Sequence, residues 1–76
     1  MRSGEGKMDL EWKDGFVISV RIDDGAAVIS ANQEGLLSLA GQLAALAAEK
    51  PGSHVHYDEN NSLEDGSSEL IFELTA

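Results

Sequence analysis

His54, His56 and Asp58 alternate along one short stretch of this chain. On an extended strand, residues two apart point to the same face, about 7 Å apart. Two imidazoles and a carboxylate at that spacing are ligand types for zinc. Such a site needs a further donor from elsewhere, and Glu69 and Glu73 near the end of the chain are the candidates. The competing reading is that the three are solvent-facing groups on the open side of a sheet. The spacing alone is a weak signal, so the solvent-facing reading is the expectation and no metal is expected.

Other chemistry finds less support. No cysteine is present, so no thiolate can ligate metal or attack a substrate. Ser62, Ser67 and Ser68 lie near the histidines in sequence, but no G-x-S-x-G nucleophile turn occurs. The glycines form neither a G-x-x-x-x-G-K nor a G-x-G-x-x-G phosphate loop. Glu64-Asp65 is a carboxylate pair in a chain where acids are everywhere. The expectation is a protein that is not an enzyme and carries no cofactor.

Charge narrows the partners. Five basic and fourteen acidic residues give a formal charge of −9. Nucleic-acid binding relies on neutralising phosphates, and Arg2, Lys7, Lys13, Arg21 and Lys50 are too scattered to form a basic stripe. Anionic membranes are repelled too, and no segment approaches the roughly 18 apolar residues of a membrane span. Basic proteins and cations are the partners this charge favours; solubility alone also accounts for it. The lack of cysteine fits a reducing cytosol, and the amino terminus has no signal-peptide pattern. The expected location is cytoplasmic.

The segment over residues 51–74 holds both histidines and six of the fourteen acids. Its polar loop, residues 59–68, offers amides at Asn60 and Asn61 and charge at Glu59, Glu64 and Asp65, beside Asp58. Asparagine and aspartate are also turn formers. Leu63 stands alone among these polar residues and is expected to plug back into the core.

The rest of the chain reads as the scaffold for that segment. Residues 1–7 are small and polar and are expected to be a disordered tail; residues 8–76 make one domain. Residues 8–13 alternate apolar and polar like a half-buried strand. Asp14-Gly15 is a hairpin turn signal. Residues 16–22 alternate again, so Phe16, Ile18, Val20 and Ile22 should join Leu10 and Trp12 on one buried face. Asp23-Asp24-Gly25 makes the next turn, and residues 26–31 a third strand. Asn32 is a good helix N-cap. The helix should run to the residues before Pro51, burying Leu36, Leu39, Ala40, Leu43, Leu46 and Ala47 at helical spacing. Glu34, Ser38, Gly41, Gln42, Ala45 and Glu49 should face outward. Strands follow over residues 53–58, with Val55 and Tyr57 on one face, and over residues 69–75. The expected fold is α+β: a two-layer sandwich of a mainly antiparallel sheet with one helix on one face, in the order β-β-β-α-β-β.

Taken together, SANQEGLLSLAGQLAALA in the helix and GSHVHYDENNSLEDGSSELIFEL after it resemble the immunity protein 32 family of bacterial polymorphic toxin systems. The likeness covers residues 29–74. Its most specific parts are Glu34-Gly35-Leu36 with Leu39-Ala40, the strand with both histidines, and Leu63, Gly66, Ser67 or Ser68, Glu69 and Leu70. The resemblance implies a protein that protects the producing cell by binding a cognate protein toxin. A basic toxin is the best electrostatic match. The contact set it suggests is His54, His56, Asp58, Glu59, Asn60, Asn61, Glu64 and Asp65. Two rival readings are a small domain that self-associates through its open sheet face, using Val17, Ile71 and Val28 or Ile29, and a metal-binding domain using His54 and His56. A monomer or weak homodimer is expected.

Overall fold

The computed structural model describes residues 10–76. The expected tail, and Met8 and Asp9 of the expected first strand, lie outside the described residues. The elements are β1 (Ile18–Asp23), β2 (Ala26–Ala31), α1 (Gln33–Ala47), β3 (His54–Tyr57) and β4 (Leu70–Glu73). The fold is α+β, as expected, but the order among the described residues is β-β-α-β-β. There are two small antiparallel sheets, β1–β2 and β3–β4, where the patterning suggested one sheet in a sandwich.

The β1–β2 hairpin turns at Asp24-Gly25, where φ is positive at both residues, 53° and 84°. Primed turns of that kind match the natural strand twist. Ile18 pairs with Ala31 at the open end, and Asp23 with Ala26 at the turn. Ile18 and Val20 are buried, while Ile22 is 62% exposed. The expected buried face therefore stops short of the turn.

Asn32 caps the helix, and does more. Its Oδ1 accepts from Gly35 N at 2.8 Å and from Val17 N at 3.0 Å, and its Nδ2 donates to Gly15 O at 2.9 Å. One side chain thus ties the helix start to the Asp14-Gly15 turn and to the entry of β1. Gly35 sits against the same place. A Cβ there would lie 2.8 Å from Val17 O and 2.9 Å from Ile18 Cγ1.

This docking sets which helix face is buried: Leu39 and Leu46 of the expected stripe are inside, but the face is rotated about the axis from the one expected. Gly35, Ser38, Leu39, Gln42 and Leu46 face inward. Leu36 and Leu43 of the expected stripe are exposed, at 55% and 37%, as are Ala40 and Ala47. Ser38 and Gln42, expected outside, are buried because each has a hydrogen-bond task. Lys13 N donates to Ser38 Oγ at 2.8 Å, and Gln42 Nε2 donates to Glu11 O at 2.7 Å. Those bonds also explain why residues 10–13 form no strand. Lys13 N and Glu11 O are engaged by helix side chains rather than by a neighbouring strand. Trp12 still turns inward, stacking on Phe16 with ring centroids 4.4 Å apart.

The two sheets share one core of Ile18, Val20, Leu39, Leu46, Val55, Tyr57 and Leu63. They are linked by the loop before β4, whose backbone lines the free edge of β1. Glu64 N donates to Ile18 O at 2.9 Å, Ser68 N donates to Val20 O at 2.8 Å, and Ser67 Oγ accepts from Val20 N at 3.1 Å. Loop backbone thus occupies the edge where a fully formed sheet would place a strand. No helix among the described residues is long and apolar enough to cross a membrane.

Tyr57, fully buried, donates to Gln42 Oε1 at 2.7 Å. Burial pushes its phenol above the ordinary 10.0. The folded state therefore holds the neutral form, while the unfolded chain ionises first. Stability from this group is present below pH 10.0 and lost as pH rises beyond it. Tyr57→Phe should lessen that alkaline loss in unfolding curves taken across pH. At neutral pH it should cost about 1–3 kcal/mol, because Gln42 Oε1 loses its donor. Gly35→Ala should lower the thermal midpoint. The clash with the Val17 carbonyl costs about 1–3 kcal/mol, against a helix-propensity gain of at most about 1 kcal/mol.

Candidate functional site

Strands β3 and β4 bring the chemistry-bearing residues to one outer face. Val55 and Tyr57 point into the core, so His54 and His56 point out. In the register, His54 lies opposite Glu73, and His56 opposite Ile71. Ile71 is outward and 54% exposed.

The alternation His54-His56-Asp58 predicts three groups on one face, and the structure gathers only part of it. His56 Nε2 lies 2.6 Å from Glu69 Oε2 and 4.0 Å from Asp58 Oδ2. One ligand atom from each of these three residues lies within 4.8 Å of the others. His54 and Glu73 are not in this group. Among the described residues this is the one cluster of donors near enough to share an ion. Its donor types suit zinc. Of the two acids expected as outside donors, Glu69 is the one that arrives, because it immediately precedes β4.

Asp58 is held by the turn that follows β3. Its Oδ1 accepts from Asn60 N at 2.9 Å and from Asn61 N at 3.1 Å, which leaves Oδ2 on the His56 side. Asn61 Oδ1 accepts from Asp58 N at 3.0 Å, and Asn61 Nδ2 donates to His56 O at 3.2 Å. The Asn61 amide is thus spent on the turn itself, in line with the turn-forming habit of asparagine. Glu59 also serves the loop, its Oε2 accepting from Gly66 N at 2.6 Å. Gly66 has φ of 88°, a conformation that favours glycine.

Leu63 is 5% exposed and belongs to the core, as expected. The loop is therefore anchored at its middle by an apolar plug and at its far side by bonds to β1. From that fixed backbone Asn60, Glu64 and Asp65 project into solvent. The arrangement is an acidic rim, tied down by Leu63 and by bonds to β1, beside an exposed histidine–carboxylate pair. Ile71 and Glu69 adjoin the expected contact set without having been in it. Strand alternation had already turned Ile71 outward, but nothing in the local pattern paired it with His56.

Comparison with known protein families matches residues 27–75 to one family, described as Immunity protein 32. No curated protein and no solved structure matches the chain.

Leu63→Ala should cost about 2–5 kcal/mol in denaturant unfolding. It should also raise hydrogen exchange at the Glu64 and Ser68 amides, which are bonded to β1. Unchanged exchange there would mean that the loop holds its place without its plug.

Proposed function

The chain belongs to the immunity protein 32 family, and from that membership we propose that it binds and neutralises a cognate bacterial toxin. The observation that carries this reading is the extent of the match. It takes in the helix, both strands of the second sheet and the whole loop between them. Neutralisation is by binding rather than by catalysis, in the cytoplasm of the cell that makes the toxin.

The proposed contact surface is His54, His56, Asp58, Glu59, Asn60, Asn61, Glu64 and Asp65. Several features support it. The side chains at its acidic edge stand on a loop pinned by Leu63, so little conformational freedom is lost on docking. The exposed Ile71 beside His56 supplies an apolar contact within a polar surround, the common anatomy of a protein interface. A net charge of −9 favours a basic toxin, because opposite charge speeds encounter.

The test is co-expression with the product of the adjacent gene, scored by growth and by recovery of a complex. Rescue of a toxic neighbour with a stable complex is expected. Toxicity without rescue or binding would overturn the reading. With a partner in hand, Glu64→Lys with Asp65→Lys should lower the association rate at low salt by roughly tenfold, with little change in dissociation. An unchanged association rate would remove the acidic loop from the interface.

A further inference from the structure

The outward face of α1 is the least expected surface of this molecule. Between Gly35 and Ala48 the chain carries no charged residue, although a quarter of the whole chain is charged. Leu36, Leu37 and Leu43 are exposed there, at 55%, 48% and 37%, beside exposed Ala40, Ala44 and Ala47. These side chains form one contiguous apolar face on the outside of the helix.

The spacing says what fits it. Leu36, Ala40, Leu43 and Ala47 are separated by four, three and four residues. That is the seam spacing of paired helices. Reversing the seam end for end places Leu36 opposite Ala47 and Ala40 opposite Leu43, so each leucine meets an alanine. A two-fold interface requires this kind of self-complementarity. The helix also flanks a hollow of about 180 Å³ lined by Leu43, Leu46, Ala47, Phe72, Glu73 and Leu74. Leu36 of a second copy, lying over Ala47, would enter that hollow.

We propose that this helix face pairs antiparallel with the same face of a second copy of the chain. Charge agrees with that choice. Two molecules of −9 repel, and an uncharged helix face is where they can approach with least penalty. Glu34 in the first turn of the helix and Glu49 just past its end are both half-buried and lie off the seam. The area sets the strength. A helix of 15 residues gives a face about 22 Å long and roughly 10 Å wide, which falls short of the roughly 800 Å² per partner of a standard stable complex. The dimer is therefore weak and concentration-dependent. Its seam residues are not in the contact set proposed for the toxin, so it does not rest on toxin binding.

The experiment is sedimentation velocity across a wide concentration range. Wild-type mass should rise towards twice the monomer. Leu43→Glu, at a half-exposed position, should stay monomeric while still unfolding in one cooperative transition. Leu36→Ala should weaken the dimer by on the order of tenfold or more. Leu36→Ala combined with Ala47→Leu should restore it, because the swap exchanges knob and hole across the axis. A wild-type chain that stays monomeric at every concentration would overturn the proposal. So would a Leu43→Glu variant that dimerises like wild type, or a swap that fails to restore association. If the wild type is monomeric and Leu43→Glu abolishes toxin binding, the face belongs to the toxin and not to a second copy.

Discussion

The fit of the helix start onto the first hairpin is the constraint from which most of this structure follows. Asn32 bonds at once to the Asp14-Gly15 turn, the entry of β1 and the first helical turn. Gly35 lets the helix backbone come against Val17 and Ile18 with no side chain between them. With that contact made, the rotation of the helix about its axis is no longer free. Ser38 and Gln42 must go inside, and Leu36 and Leu43 must go out. A buried amide and hydroxyl need partners. They find them in the backbone of residues 11–13 and in Tyr57.

The loop before β4 solves a second problem of the same kind. A short chain buries little surface and has few strands to spare. The free edge of β1 is covered by loop backbone, and Leu63 fills the core beneath it. The acidic loop is thereby tied to the core at Leu63 and to the edge of β1 through Glu64 N and Ser68 N.

The molecule separates its chemistry by side. The outer face of β3 and β4 carries histidines and acids, while the outer face of α1 is apolar and uncharged. The core lies between them.

Local pattern determined much of this. The Asp24-Gly25 turn, the strand over Ala26–Ala31, the cap at Asn32, the inward Val55 and Tyr57 and the plug at Leu63 all follow from side-chain type and spacing, because each depends on neighbours in the chain. The histidine alternation also put His54 and His56 outward. Tertiary structure alone decided the rest. The periodicity of α1 is compatible with more than one buried face, since alanine and leucine nearly encircle it. The choice fell to a glycine contact with residues 17 and 18, and hydrophobicity could not foresee it. Residues 10–13 have a strand's alternation, yet a strand also needs an edge to pair with. The edge of β1 was taken by the loop, and the helix side chains took their backbone groups instead. Glu69 met His56 only because the register of β3 and β4 brought it there. Each of these outcomes was a competition between distant groups for one place, and a sequence records the competitors without the geometry that chooses among them.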